Sequence, residues 1–371
     1  MTDKAHPKKR ARRVKGCYNC SQRRINCDRG TPCQKCIKKG LECLGLGVRY
    51  RFNNGVASRG KLAGMSIPVP SSRNIAPAMV AINFVFNGYR DMILPLSEQD
   101  LTVRNAIMAA SASHLTLKHN QWKLTAAKYH MAAIRGLNQR AEMAYPKDDE
   151  SLQSTSLCTM VILLIEEMIT VGNDFHLLLD MVKNFIQSQG GSEMVEKRPL
   201  GKFLIQQIRK MSLYALPFRP KNTVTGYLRV IPRENLDFLY SCLDIHPEYN
   251  EIILKLADII QKVNLIYHAR IGDAPENTIT NLVQDFLTET SVFNAASPGG
   301  HILIWPFFIV GTECSLPADC EFVESQLRTL WGYTGFGNTL YAIGILKQIW
   351  QDGGGTKSAT HVFHKVKGFI M

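Results

Sequence analysis

The sequence lacks a strongly apolar stretch of the length that is typical of a membrane-spanning helix. Its longest strongly apolar stretches, residues 157–165 and 302–310, fall short of the roughly 20 residues that a spanning helix needs, and Glu166 and Glu167 close the first one. The N-terminus also lacks the apolar segment and cleavage site of a secretory signal. We therefore expect no membrane partner, and we expect the cysteines to lie in a reducing compartment.

Acidic residues are scarce at the N-terminus. Residues 1–74 contain 18 Lys and Arg but only three Asp and Glu, whereas the remaining residues contain 26 Lys and Arg and 28 Asp and Glu. A basic head on a nearly neutral body predicts a polyanionic partner, either nucleic acid or a membrane surface. The head has no basic amphipathic helix with bulky apolar residues, and its cysteine segment offers only Tyr18 for stacking on RNA bases, so double-stranded DNA is favoured.

Alternating strand patterns are scarce too, whereas apolar residues recur at helical spacing from residue 79 onward. Such stripes run through residues 103–117, 252–266, 323–331 and 340–350, with Pro and Gly between them. We predict an all-α multi-helical domain of roughly ten helices.

Two details of these stripes can be tested. Ser97 is an N-cap candidate for the first stripe, with Asp100 three residues later. The stripe at 252–266 has the spacing of a coiled coil but spans only about two heptads, so a core helix is the favoured interpretation.

The composition divides the chain into four parts. A basic arm precedes the cysteines, and a stretch rich in Gly, Ser, Pro and Asn follows them as a flexible linker. The predicted bounds are 1–16 for the arm, 17–43 for the cysteine module, 44–78 for the linker and 79–371 for the helical domain.

The cysteine module repeats one unit, Cys-x2-Cys-x6-Cys, twice with an offset of 16 residues. Its six cysteines are Cys17, Cys20, Cys27, Cys33, Cys36 and Cys43. The six residues after the second cysteine of each unit allow a short helix. The first helix would carry Arg23 and Arg24, and the second would carry Lys38 and Lys39.

Ligand counting predicts two zinc ions in this module. Two tetrahedral Zn²⁺ ions need eight ligand places, and six sulfurs suffice only if two of them bridge. The repeat makes Cys17 and Cys33 the natural bridging pair. A module this short cannot bury an adequate core, so metal would supply on the order of 10 kcal/mol of folding free energy per ion. A three-disulfide knot, a single zinc and an iron–sulfur cluster are the less favoured alternatives.

This spacing, with Asp28 after the third cysteine and Pro32 before the fourth, resembles the fungal zinc binuclear cluster DNA-binding domain, of Zn(2)-Cys(6) type. The resemblance implies that the helix after the second cysteine enters the major groove and reads a CGG-type triplet. It also implies a transcription regulator of RNA polymerase II-type genes, located in the nucleus. Arg24 stands where the family commonly has lysine.

A second resemblance covers residues 79–352. The segment from Trp305 to Gly311, together with Trp331 and the residues from Gly335 to Asn338, is similar to the fungal-specific transcription factor domain. It implies a helical regulatory region behind the cluster.

The basic residues around the cysteines suit DNA. Arg23 and Arg24 are candidates for base edges, because guanine presents O6 and N7 in the major groove. We predict phosphate contacts for four lysines: Lys15, Lys35, Lys38 and Lys39. The arm carries a cluster typical of a nuclear localisation signal, comprising Lys8, Lys9, Arg10, Arg12 and Arg13.

No enzyme is predicted, because six-thiolate zinc sites lack the open position of catalytic zinc. The linker offers no heptad register, so the chain would bind as a monomer or, in the favoured interpretation, as a homodimer through the helical domain. The alternative function is a zinc-stabilised module that binds nucleic acid without sequence specificity, or binds protein, on a helical scaffold.

Overall fold

The computed structural model describes most of the chain after the first cysteine. The described residues are 16–17, 20, 23, 25–30, 32–41, 43, 75–83, 86–142, 149–218, 231–272, 274–293 and 297–355. The chain divides into two compact units, residues 1–65 and residues 66–371. The predicted arm and most of the predicted linker lie outside the described residues.

The described part of the chain is helical and contains no strand, which confirms the predicted fold class. The first unit contains α1, a single turn at Gln34–Ile37. The second unit contains α2 (Leu94–Leu96), α3 (Leu101–Thr116), α4 (Lys123–Glu142), α5 (Glu150–Thr170), α6 (Phe175–Ser188), α7 (Ser192–Glu196), α8 (Gly201–Tyr214), α9 (Asp237–Tyr240), α10 (Asn250–Ile271), α11 (Glu276–Ser291), α12 (Ile304–Gly311), α13 (Pro317–Thr334) and α14 (Gly337–Gln351). Short 3-10 turns and a π-helical turn at Tyr89–Ile93 connect some of them.

Helix α3 begins one turn later than the capping pattern suggested. Asp100, not Ser97, is the N-cap: its Oδ1 accepts the backbone N–H groups of Thr102 (2.9 Å) and Val103 (3.0 Å). Ser97 instead donates from Oγ to the carbonyl of Leu94. A carboxylate suits this position because it satisfies two free N–H groups and faces the positive end of the helix dipole.

One hydrophobic core runs through the second unit. Helix α3 packs on α4 and α5, α10 packs on α11 and α12, and α14 packs on α13 and α5. The stripe at 252–266 lies in α10, and its apolar residues Leu256, Ile259, Val263 and Ile266 are fully buried. The prediction of a core helix is therefore confirmed for this stripe.

The segment from Trp305 to Gly311 lies within α12, all of whose residues are buried. The indole of Trp305 stacks on Tyr214 at a centroid distance of 5.0 Å and donates to its carbonyl oxygen at 3.1 Å. Trp350 donates to the carbonyl of Gly311 at 2.8 Å and so connects α14 to the end of α12. The apolar sequence of α12 is therefore explained by its position within the hydrophobic core.

Helix α5 is long and apolar enough to cross a membrane. However, 72% of its most apolar stretch is buried inside the protein, as in the core helix of a globular domain. The apolar run at 157–165 is part of this helix.

The helical unit begins earlier than the predicted boundary at residue 79. Residues 75–79 are helical, and Ile75, Ala76 and Met79 are buried in the main core. Lys210 donates to the carbonyl of Met79 at 2.6 Å, which adds a polar contact to this segment. Residues 75–78 therefore belong to the body rather than to the linker.

Candidate metal centre and nucleic-acid interface

Four cysteine sulfurs form a compact buried group in the first unit. The Sγ atoms of Cys17, Cys20, Cys33 and Cys36 all lie within 4.8 Å of one another. The sulfur of Cys17 is 3.5 Å from that of Cys33 and 3.6 Å from that of Cys36. All these cysteines are free, and a disulfide would need a sulfur separation of about 2.05 Å. The structure therefore does not support the disulfide alternative.

The same distances fit a zinc site. A zinc ion with four sulfurs at about 2.3 Å requires neighbouring sulfurs to be about 3.8 Å apart in a tetrahedron. The separations of 3.5 and 3.6 Å are close to that edge. Burial raises the pKa of the Cys20 and Cys33 thiols, so a bound cation is what would allow them to ionise together.

The third cysteines of the two units, Cys27 and Cys43, each accept an equivalent backbone hydrogen bond, as the twofold sequence repeat predicts. The backbone N–H of Cys17 donates to the sulfur of Cys27 at 3.3 Å, and that of Cys33 donates to the sulfur of Cys43 at 3.2 Å. Each donor is the first cysteine of its unit and each acceptor is the third. Hydrogen bonds from the N–H groups of Cys17 and Arg29 lower the pKa of Cys27, which favours the thiolate form that binds metal.

Asp28 supports this arrangement, although the sequence analysis gave it no role. Its Oδ2 accepts the backbone N–H of Gln34 at 3.0 Å, at the start of α1. That hydrogen bond lowers the pKa of Asp28, so the carboxylate is charged where it faces the first turn. The sequence feature that could have indicated this role of Asp28 is its position directly after the third cysteine. Arg29, which follows it, is exposed and adopts a left-handed backbone conformation at φ 63°.

The basic candidates that the structure describes lie at the surface of this unit. Arg23 is exposed in a turn, and Lys35 is exposed on α1. The prediction that Lys38 and Lys39 lie on a helix after the second cysteine is wrong. Helix α1 begins directly after Cys33 and ends before both lysines, which occupy the following turn. Asp28 accepts the backbone N–H of Gln34, the first residue of α1, and so satisfies one of the N–H groups that a helix start leaves without an intrahelical partner.

The other sequence-predicted residues lie outside the described residues. They are Arg24 and Lys15, together with the cluster of Lys8, Lys9, Arg10, Arg12 and Arg13.

Two protein families match this chain. The fungal specific transcription factor domain matches residues 71–289 and 232–359, and the fungal Zn(2)-Cys(6) binuclear cluster domain matches residues 15–47. Neither family is an enzyme family. The second match names zinc as the metal of the cysteine group.

A curated relative also matches, over a short segment. The acriflavine sensitivity control protein acr-2 of Neurospora crassa is 44% identical over 54 residues, which are 13% of this chain and 9% of that protein. The chain thus spans about a tenth of the length of this relative. No solved structure matches.

The helical family covers most of the chain, and the cysteine geometry coincides with the cluster match. The chain therefore belongs to the fungal specific transcription factor domain family, and a fungal Zn(2)-Cys(6) binuclear cluster domain precedes the helical region.

Proposed function

We propose that the chain reads CGG-like triplets in the major groove and regulates genes transcribed by RNA polymerase II in the nucleus. The observation that carries this proposal is the buried group of four cysteine sulfurs at the centre of a basic head. A cluster that is folded around metal gives the surrounding Arg and Lys side chains a fixed spacing, which sequence-specific recognition requires.

Two zinc ions would share the sulfurs of Cys17 and Cys33. Three short separations support this assignment: Cys17 to Cys33 at 3.5 Å, Cys17 to Cys36 at 3.6 Å and Cys20 to Cys33 at 3.6 Å. The first cysteine of each unit thus contacts the second cysteine of the other unit. The sulfur of Cys33 also lies within 4.8 Å of that of Cys27, which supports Cys33 as a shared ligand. The remaining four cysteines would bind one ion each.

The arginines and lysines divide between two tasks. Arg23 and Arg24 would contact guanine O6 and N7, for which the guanidinium fork is suited. The phosphates would be bound by Lys15, Lys35, Lys38 and Lys39, which set the orientation of the module on the duplex. Lys35, Lys38 and Lys39 are exposed, in agreement with this role. Arg29, exposed beside Cys27, is a further candidate for a phosphate contact.

The remaining parts of the chain would support this activity. The cluster at Lys8 to Arg13 would direct nuclear import, and a linker over 44–74 would connect the module to the body. The body would carry the contact of a homodimer, since the linker lacks a heptad register.

Selection of bound sequences from a random duplex pool tests the recognition. The zinc-loaded full chain should enrich a G-containing triplet, and paired triplets at fixed spacing would indicate a dimer. Arg24→Ala should reduce discrimination at the triplet by about 1–3 kcal/mol. The control Lys39→Ala should weaken all sequences alike. If no sequence is enriched although duplex DNA binds, the alternative of a non-specific module is correct.

Elemental analysis of cysteine variants tests the zinc arrangement. The native chain should hold two zinc ions. Cys17→Ser should release metal from both sites, because it removes a shared ligand, whereas Cys43→Ser should mainly empty one. Equal metal loss from both variants would contradict the bridging assignment.

A further inference from the structure

Helix α4 exposes apolar and basic side chains along a single line, which we call the α4 stripe. It consists of Leu124, Lys128, Met131 and Arg135, at positions i, i+4, i+7 and i+11. At 3.6 residues per turn these four side chains fall within about 60° of arc and extend over about 16 Å of helix. Leu124 is 85% exposed and Met131 is 48% exposed.

The stripe lies opposite the side of α4 that contacts the rest of the protein. The fully buried residues of this helix are Ala126 and Ala133, which project about 180° away from the stripe. A surface helix normally presents polar residues at the centre of its solvent face. Helix α4 instead presents Leu124 and Met131 there, and the described residues leave both of these apolar side chains exposed.

The basic members of the stripe are not neutralised by an ion pair within the part of the chain that the structure describes. Neither Lys128 nor Arg135 forms an ion pair or a hydrogen bond among those residues, and both are exposed. Some other surface cations of the body are paired, such as Lys347 with Glu324 at 2.9 Å. The stripe therefore combines unneutralised positive charge with exposed apolar area.

We propose that the α4 stripe is a docking surface for an acidic amphipathic helix of a partner protein. Leu124 and Met131 would pack against the apolar side of that helix. Lys128 and Arg135 would pair with carboxylates at its edges. Leu124 and Met131 lie seven residues apart, a spacing that also occurs between the apolar anchors of helices that dock on proteins. Methionine is well suited to such surfaces because it adapts its shape to the partner.

Charge selects this occupant over two others. A second copy of the chain would bring the α4 stripe against itself, so Lys128 and Arg135 would face like charges, which costs free energy. A DNA duplex would satisfy the two cations, but it would leave Leu124 and Met131 against phosphates and water, with no gain from their burial. An acidic amphipathic helix satisfies both kinds of side chain.

Fluorescence anisotropy of a synthetic peptide tests the proposal with the zinc-loaded full chain. The probe is an 18-residue peptide with Leu on one helical face and Glu along its edges. The first control peptide has the same composition in an order that disperses the leucines around the helix. The second carries Lys in place of every Glu.

The protein variants separate the apolar and charged contributions. Leu124→Ser with Met131→Ser should weaken the binding of the probe about tenfold or more, because two apolar anchors are lost. Lys128→Glu with Arg135→Glu should weaken it about tenfold and should bind the lysine peptide instead. The matched controls are Leu254→Ser and Lys202→Glu, which alter an exposed leucine of α10 and an exposed lysine of α8 and should leave the binding unchanged.

The outcomes are distinct. Equal binding of the ordered and dispersed peptides, or no loss in either stripe variant, overturns the proposal. A change in the oligomeric state of the Leu124→Ser and Met131→Ser variant would assign the stripe to a second copy. Loss of duplex affinity in the charge-reversed variant, without peptide binding by the native chain, would assign it to DNA. Each result is independent of the triplet selected by the N-terminal module.

Discussion

The ion pair between Asp100 and Arg140 offers a sharp test of how the helical body is stabilised. The guanidinium Nη2 of Arg140 lies 2.7 and 2.6 Å from the two carboxylate oxygens of Asp100. Its Nη1 donates to the hydroxyl groups of Thr155 (3.1 Å) and Ser156 (3.3 Å) at the start of α5. Because Asp100 also caps α3, one carboxylate connects the ends of three helices.

The expected loss follows from the two roles of this carboxylate. Replacing an N-cap by alanine costs about 1 kcal/mol. Losing charge-assisted hydrogen bonds to a largely buried partner adds about 2 kcal/mol. The side chains of Asp100 and Arg140 are only 13% and 15% exposed, so solvent screens this pair less than a surface pair. We therefore expect Asp100→Ala to lower the free energy of unfolding by about 3 kcal/mol.

Asparagine separates the two contributions. Asp100→Asn keeps a capping oxygen but removes the charge, so it should cost about 2 kcal/mol, less than alanine. Urea unfolding of the zinc-loaded chain, followed by far-ultraviolet circular dichroism, measures both variants. Arg140→Met, alone and combined with Asp100→Asn, completes a double-mutant cycle. A loss below about 0.5 kcal/mol for Asp100→Ala would refute the reasoning. Equal losses for alanine and asparagine would show that the cap contributes nothing.

The pH dependence of this effect has a defined sign. Burial alone would raise the pKa of Asp100, but the N–H of Val103 and the guanidinium of Arg140 hold it below its ordinary value. A lowered folded-state pKa means that the stabilisation is present above the unfolded value of about 3.9 and is lost as the pH falls through the folded value. The difference between the native chain and Asp100→Asn should therefore shrink in acid.

Three further predictions concern the same domain. The hydrogen bond to Glu166 raises the pKa of His130, so the stabilisation from this pair is lost as the pH rises through the raised pKa. The native chain should therefore unfold at a lower temperature at pH 8 than at pH 5.5 as far as this pair contributes, and His130→Gln should lack that contribution. Burial lowers the pKa of Lys210 to about 7. Between about pH 7 and 10 the unfolded chain holds this proton and the folded chain does not, so the free energy of unfolding should rise with pH. Lys210→Met should flatten this rise in urea titrations. Gly335 ends α13 at φ 64°, where an added Cβ would lie 3.3 Å from Nε2 of His114, so Gly335→Ala should lower the unfolding free energy by about 1 kcal/mol or more. A flat stability profile in the native chain, or an unchanged Gly335→Ala variant, would contradict the corresponding prediction.

The fold class was readable from the sequence because helical periodicity is local. The stripe at 252–266 shows both the strength and the limit of that signal. Its spacing predicted α10, and the shortness of the pattern favoured a core helix, as the structure has it. The start of α3 was wrong by three residues, since Ser97 and Asp100 both have side chains that can cap a helix.

The long-range contacts could not be derived from the pattern. Nothing in the sequence around Arg140 indicates that it pairs with a residue 40 positions earlier. Residues 75–78 read as linker because a single buried turn carries too few apolar residues to establish a period. Their burial comes from the main core of the body, and Lys210, 131 residues away, donates to the carbonyl of the neighbouring Met79.

The sequence by itself identified the cysteine module, which the family match confirms, and it predicted a polyanionic partner. Ligand spacing and charge are local properties, and six cysteines in two identical units leave few coordination schemes for a segment too small to fold alone. Only the tertiary structure decided which sides of the helices are buried, since that depends on contacts between distant segments. Thus the periodicity of α4 could not show that Leu124 and Met131 would face solvent, because the buried residues of this helix are two alanines, which carry little hydrophobic signal.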